Sequence, residues 1–249
     1  MSVIEDHATR LLLEFLAEHR CAVAPQAQAL LGCSPGLARR RLRRLADAGL
    51  VRSERIFAGR PSTCRITASG LSAIGSSLAP PRLHLSHYSH DLGLGWLWLA
   101  ARAGAFGHIA VAYSERSMRS HDARRGATDE PLGAGIGVST PGGSAQRHYP
   151  DLLLETPAGR RIAVELELSG KSPRRLAGIM LSYAADARID MVLYLVADRR
   201  LATRIQRAAR DAGIADLVRV QPVVRSIQGG PASGHDRALR MPSRQALAR

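Results

Sequence analysis

Three acidic residues stand close together in segments that are otherwise apolar. Asp151 begins the run DLLLET, and Glu165 and Glu167 alternate with apolar residues in RIAVELEL. An ionised carboxylate in such a segment is costly unless a cation, a metal ion or hydrogen bonds compensate its charge. A spacing of two residues puts both glutamates on one face of a strand, and the short turn PAGR brings Asp151 beside them. The sequence therefore predicts an acidic site.

The acidic site has the chemistry of a cation site. Magnesium prefers a few carboxylate oxygens together with several waters, so this acidic face could hold two hard cations, or one cation beside a base. Lys171, the only lysine of the chain, follows four residues after Glu167. The alternative is structural: the two glutamates form ion pairs with the arginines Arg160, Arg161 or Arg188.

A second candidate site is a cluster of arginines in CSPGLARRRLRRLADAGLV. Ser34 and Pro35 are typical of a helix start and Gly49 of a helix end, which predicts a helix over residues 35–48. Guanidinium groups match phosphates and guanine edges, so this helix could enter the major groove of DNA. A solvated helix face used for protein contacts is the alternative. The arginines concerned are Arg39, Arg40, Arg41, Arg43 and Arg44.

The charge and composition of the chain favour a polyanionic partner, with double-stranded DNA first. The formal net charge is +14 and the sequence pI about 11.2. A GC-rich coding sequence also enriches arginine, so the argument depends on where the arginines lie. No apolar run reaches the ~18–20 residues of a membrane span, and neither a signal peptide nor paired cysteine motifs are visible. We therefore expect no membrane partner and a cytoplasmic location.

The amino-terminal third has the element order of a winged helix-turn-helix. An amphipathic helix over residues 8–20 and a short helix ending at Gly32 precede the arginine-rich helix. Two β-prone runs, LVRSERIF and TCRIT, then flank the turn AGRPS and predict a hairpin with Arg60 at its tip. Arg60 would reach a phosphate or the minor groove. Residues 1–79 are thus predicted to be a DNA-binding domain.

The remaining chain predicts an α/β domain with a mixed central sheet over residues 80–225. Pro80 and Pro81 mark the boundary. The apolar helix GLGWLWLAARAGAFG is expected to pack on the sheet of this domain, and residues 122–146 form a long loop. A basic helix, RRLATRIQRAARDAG, is expected to contact phosphates or to form the interface of a homodimer. The tail, residues 226–249, is predicted to be disordered.

Several motifs resemble known families. YPD, followed after a hairpin by VELELSGK, resembles the PD-(D/E)xK nuclease superfamily. Together with YSER and RRLAGIMLSYA, these motifs resemble the replication-relaxation family of actinobacterial mobile elements, over roughly residues 8–220. That family joins a winged helix to a nuclease-like domain and is associated with plasmid replication and DNA relaxation. The resemblance implies an α+β chain of this architecture.

The resemblance also implies roles for residues. Asp151 and Glu165 match the acids that hold magnesium, and Glu115 matches an extra glutamate on a helix. Glu167 stands where the family has a lysine, so Lys171 would have to return its amine to that place. The implied function is sequence-directed DNA binding, as a replication or mobilisation accessory protein or a transcriptional regulator. The alternatives are an Mg²⁺-dependent endonuclease or nickase using Asp151, Glu165 and Lys171, and an inactive descendant of one.

Overall fold

The computed structural model describes residues 6–126, 129–135 and 147–223. The chain is a mixed α/β structure whose contacts divide it into two compact units, with the division after Ala100. The predicted boundary after residue 79 therefore lies inside the first unit. The predicted tail and much of the predicted long loop lie outside the described residues. Within the described ranges, no helix is long and apolar enough to cross a bilayer.

The first unit consists of short helices and a small sheet. In chain order its elements are α1 (His7–Glu18), β1 (Ala22–Val23), α2 (Ala24–Leu31), α3 (Pro35–Asp47), β2 (Val51–Glu54), β3 (Thr63–Ile66), α4 (Ala68–Ala73), a 3-10 turn (Leu85–His87) and α5 (Tyr88–Arg102), which ends just beyond the division.

The arginine-rich helix α3 begins and ends where its capping residues predict. The Ser34 hydroxyl accepts a hydrogen bond from the Leu37 amide at 3.3 Å, and Pro35 occupies the first helical position. Gly32, with φ of 58°, ends α2, and Gly49, with φ of 70°, follows α3. Both glycines adopt the left-handed conformation that other residues avoid. The tight connection between α2 and α3 follows from the Gly32 and Ser34 caps.

The predicted hairpin is present. Strands β2 and β3 pair antiparallel, with Val51 opposite Ile66 and Glu54 opposite Thr63. The two-residue strand β1 pairs with the other edge of β3, which gives the sheet order β1-β3-β2. The sequence analysis did not predict β1, because two residues are too few to show a period.

Helix α5 packs against α1 and α2 inside the first unit. Gln26 Nε2 donates a hydrogen bond to the Leu92 carbonyl at 2.9 Å, and the Trp98 ring lies 5.4 Å from that of Phe15. Gly95 leaves room for Gln26, since a Cβ there would lie 2.5 Å from its Nε2. The sequence analysis expected this helix to pack on the sheet of the second domain instead. It could not distinguish the two, because an apolar run does not specify which apolar surface it covers.

The second unit is built on a five-stranded mixed sheet. Its elements are β4 (Val111–Ser114), α6 (Glu115–Arg124), β5 (Leu152–Glu155), β6 (Arg161–Glu167), α7 (Pro173–Ala184), β7 (Met191–Val196), α8 (Arg199–Asp211) and β8 (Val218–Pro222). The strand order is β4-β5-β6-β7-β8. The pairs β4–β5 and β5–β6 are antiparallel, while β6–β7 and β7–β8 are parallel. The predicted mixed sheet is confirmed.

One face of this sheet forms a core with helices α6, α7 and α8. Leu153, Ala163 and Tyr194 represent the three central strands in it, and Tyr183 and Ile205 contribute from α7 and α8. The register places Ala163 opposite both Leu153 and Val192, so these residues point to the same side. By alternation, the two glutamates of β6 point to this helix-covered side as well.

Candidate functional site

The three predicted acids converge at the end of β6. Glu165 lies opposite Tyr194 of β7, and Glu167 is the last residue of its strand. The side chains of both glutamates are almost fully buried. Asp151 lies just before β5, and its Oδ2 accepts a hydrogen bond from the Leu166 amide at 2.8 Å. The strand period and the short hairpin turn therefore bring the acids together as predicted.

Three side chains surround the carboxylate of Glu165. Its Oε1 lies 2.6 Å from His148 Nε2 and accepts a hydrogen bond from the Tyr183 hydroxyl at 2.6 Å. Lys171 Nζ lies 4.0 Å from Oε2. Burial alone would raise the pKa of Glu165, but the hydrogen bond and charge of His148, the charge of Lys171 and the Tyr183 hydroxyl together lower it. Glu165 is therefore ionised at neutral pH.

Lys171 is the cation of the site. Its amine donates a hydrogen bond to Glu167 Oε2. Burial lowers the pKa of Lys171, but the charges of Glu165, Glu167 and Asp151 outweigh it and raise that pKa above its usual value. The pKa of Glu167 is also raised, because burial and the neighbouring carboxylates outweigh Lys171. Lys171 thus stays protonated between two carboxylates.

Two buried tyrosines border the acids. Burial, and then the charge of Glu165, raise the pKa of Tyr183 well above its ordinary value. Burial and the charges of Glu165, Glu167 and Asp151 do the same for Tyr194. The Tyr194 hydroxyl has no hydrogen-bond partner among the described residues. A buried hydroxyl of this kind is a group that a bound water or ion can satisfy.

Glu115 is placed beside the site through its backbone. It is the first residue of α6, and its amide donates to the Asp151 carbonyl at 3.3 Å. Its carboxylate forms an ion pair with Arg119 at 2.8 Å.

The arginines of the structural alternative bind other acids. Arg160 lies 3.9 Å from Asp190, Arg161 pairs with Glu155 at 2.8 Å, and Arg188 pairs with Asp186 at 2.6 Å. The expectation that they neutralise Glu165 and Glu167 is therefore wrong. The sequence analysis gave these arginines only as the alternative to a cation site. Lys171, which follows the end of β6, is instead the cation beside the two glutamates.

Sequence reasoning missed His148 as a partner of Glu165. His148 forms an isolated β-bridge with Ala134, and its ring contacts Glu165. Its only sequence signal is its position three residues before Asp151. Sequence reasoning also missed Tyr183, a buried residue of α7, as the second hydrogen-bond partner of Glu165.

The donor atoms suit a hard cation in chemical type. Asp151, Glu165 and Glu167 supply the carboxylate oxygens that Mg²⁺ prefers. The Tyr194 hydroxyl, which has no hydrogen-bond partner among the residues that the structure describes, is consistent with a further polar group at the site. One oxygen of Glu165 is already engaged by His148 and Tyr183. Among the described residues, no three acidic, histidine or cysteine side chains are arranged as a metal-binding group.

The arginines of α3 fall into two classes. Arg39, Arg40, Arg43 and Arg44 are exposed, and none of the four forms an ion pair with a described residue. At 3.6 residues per turn they lie within an arc of about 140°, opposite the buried residues Ala38, Leu42 and Leu45. Arg41 differs, because it is partly buried and pairs with Asp6, which caps α1. Arg60 is exposed in the loop between β2 and β3.

Comparison with known proteins adds no relative. The chain matches no protein-family model, no curated protein and no solved structure. The resemblance to the replication-relaxation family therefore stays a prediction based on short motifs.

Proposed function

We propose that the protein binds double-stranded DNA through its first unit, which acts as a winged helix-turn-helix. The observation that carries the proposal is the row of four exposed arginines on α3, which form no ion pair within the described part of the chain. Helix α3 is the second helix of a tight helix pair. A helix in that position enters the major groove in helix-turn-helix proteins. Guanidinium groups then bind guanine edges and phosphates.

The hairpin β2–β3 supports the same proposal. Its loop carries Arg60, and a positively charged tip beside a recognition helix can contact the next phosphate or the minor groove. Arg41 is left out of this surface, because its guanidinium already binds Asp6. The proposed interface consists of Arg39, Arg40, Arg43, Arg44 and Arg60. The motif resemblance further suggests a role in replication, mobilisation or regulation of a mobile element.

The test replaces Arg40 and Arg44 with alanine and measures duplex binding by fluorescence anisotropy. We expect a cost of about 1–3 kcal/mol for each arginine that reads a base, and less for one that touches only phosphate. The matched control is Arg10→Ala with Arg82→Ala, two exposed arginines outside α3 and the hairpin. Equal binding by the two double variants would contradict the proposal.

A second candidate function is magnesium-dependent cleavage of DNA at the acidic site. One observation favours it: the Lys171 amine lies 4.0 Å from Glu165 although its sequence position is displaced. Asp151 and Glu165 would hold Mg²⁺, which supplies Lewis-acid catalysis and a more acidic bound water. Lys171, held by Glu167, would orient the attacking water.

Asp151→Asn tests this candidate, since asparagine keeps an oxygen that can accept the Leu166 amide. We expect wild-type protein to nick supercoiled plasmid in Mg²⁺ or Mn²⁺, and D151N to lose nicking while its DNA affinity is unchanged. A wild-type protein that binds plasmid but does not nick it in either metal would reject the candidate and leave the DNA-binding proposal intact.

A further inference from the structure

Helix α8 carries a second arginine surface, which lies in the other unit of the chain. Its five arginines are exposed and lie within an arc of about 140° at 3.6 residues per turn. The opposite side of the helix buries Ile205 and Ala209 in the core. We call these five residues the α8 arginine face: Arg199, Arg200, Arg204, Arg207 and Arg210.

The α8 arginine face adjoins the acidic site. Arg204 donates a hydrogen bond to the Lys171 carbonyl at 2.5 Å. Gly170 makes this approach possible, because a Cβ there would lie 2.9 Å from Arg204 Nη1. Strands β6 and β7 run parallel, so α7 and α8, which follow them, begin at the same edge of the sheet. The exposed Arg174 and Arg175 at the start of α7 extend the positive charge along this edge.

The chemistry of this face fits a phosphate backbone. Within α8, Arg207 forms an ion pair with Asp211 at 3.9 Å, and both side chains are largely exposed. Guanidinium forks bind phosphate oxygens in pairs. From Arg199 to Arg210 the helix rises about 16 Å at 1.5 Å per residue, which corresponds to about five base pairs of duplex at 3.4 Å each.

A membrane surface fits less well. Interfacial helices insert large apolar side chains beside their basic face. The apolar side of α8 is used in the core, and the exposed large apolar residues of the described chain lie elsewhere, at Phe57, Leu85, Val111 and Leu181.

We propose that the α8 arginine face binds the phosphate backbone of duplex DNA and brings that backbone beside Lys171 and Glu167. The second unit would thus contribute its own sequence-independent contacts. This inference extends the proposed DNA binding and rests on it only for the identity of the polyanion as a duplex.

The test is a triple variant of the full chain, Arg199→Gln, Arg200→Gln and Arg207→Gln. Glutamine is a good helix former, so α8 should be retained. Arg204 is left intact because it holds the Lys171 carbonyl. The control triple variant replaces Arg10, Arg82 and Arg160 with glutamine. These three arginines are exposed and lie outside α8. Both variants lose the same charge, and circular dichroism checks their helix content.

Binding of a 30-base-pair duplex is measured between about 50 and 200 mM salt. Each lost phosphate contact removes about 0.9 from the slope of log K against log salt concentration, so the α8 variant should lose about 2–3. The control should keep the wild-type slope. Equal slopes for the α8 variant and wild type would overturn the inference. So would a result in which the triple substitution weakens binding of the chain to phosphatidylserine vesicles but leaves its duplex affinity unchanged.

The proposal for the first unit and the inference for α8 can be contradicted independently. If R40A/R44A leaves binding unchanged while the α8 variant weakens it, the proposed function of the first unit fails and this inference stands. If only R40A/R44A weakens binding, the opposite holds. We expect both to weaken it, and the combined variant to lose measurable duplex affinity at 200 mM salt.

Discussion

Lys171 is a single cation that serves two buried carboxylates. Glu167 binds its amine directly and Glu165 lies 4.0 Å away, with His148 on the far side of Glu165. Removing the cation from a buried ion pair is strongly destabilising, because the carboxylate is left buried with neither water nor a partner to compensate its charge. The lysine is therefore a structural requirement whether or not DNA is cleaved.

We expect Lys171→Met to reduce the free energy of unfolding by about 3 kcal/mol at pH 7, measured by urea denaturation. The pKa of Glu167 is already above its usual value, so in the variant this group takes up a proton as the pH falls towards 5. Since the folded variant binds that proton more readily than the unfolded chain, the deficit should shrink at acidic pH. The control Arg160→Met removes an exposed cation and should change stability by less than about 0.5 kcal/mol. A deficit that is constant from pH 7 to 5 would contradict this account.

Wild-type protein should respond at the other end of the pH scale. The pKa of Lys171 is raised in the folded chain, so its contribution to stability is present below the ordinary lysine pKa of 10.5 and is lost as the pH rises through the folded value. The stability difference between wild type and K171M should therefore fall above about pH 10.5. Urea titrations from pH 8 to 11 would measure it, and a difference that does not decline would show that Lys171 acts through packing alone.

At the scale of elements, glycines decide how closely helices approach. A Cβ on Gly70 of α4 would lie 2.2 Å from the Leu50 carbonyl oxygen, a backbone atom that cannot move aside. Gly70→Ala should therefore destabilise the protein by about 1–3 kcal/mol in thermal or urea unfolding. Gly36→Ala is the control: it lies in α3 with no atom within 4 Å of the added Cβ, and alanine favours the helix by up to about 1 kcal/mol. Equal effects at the two positions would refute the close packing of α4 on Leu50.

The elements that sequence reasoning predicted are those with local signals. Helix α3 has Ser34 and Pro35 at its start, and the hairpin has turn residues between two β-prone runs, so both follow from short-range rules. The placement of α5 and the contact of His148 with Glu165 depend on long-range packing. Neither leaves a periodic or capping signal in the chain. The acids could be predicted as a cluster because strand alternation is local, whereas their partners could not.

At the scale of the whole molecule, the net charge of +14 can be read in two ways. If it reflects only a compositional bias, every exposed arginine contributes alike to attraction for DNA, and affinity follows net charge. If the placement of the arginines matters, the charges on α3 and at the hairpin tip contribute more than equal charges elsewhere. Variants R40A/R44A and R10A/R82A have the same formal net charge and separate the two cases.

The salt dependence of duplex binding distinguishes them by counting contacts. Each arginine that neutralises a phosphate releases a condensed counterion and adds about 0.9 to the magnitude of the slope of log K against log salt. If the five arginines of the proposed first-unit interface all bind phosphates, their share of the slope is about −4 to −5. R40A/R44A should then reduce its magnitude by about 2, while R10A/R82A leaves it unchanged, because charges that remain solvated release no counterions. Anisotropy titrations in sodium chloride measure all three proteins. A wild-type slope weaker than about −1, or equal slopes for the two variants, would mean that the arginines of α3 do not lie against the DNA backbone.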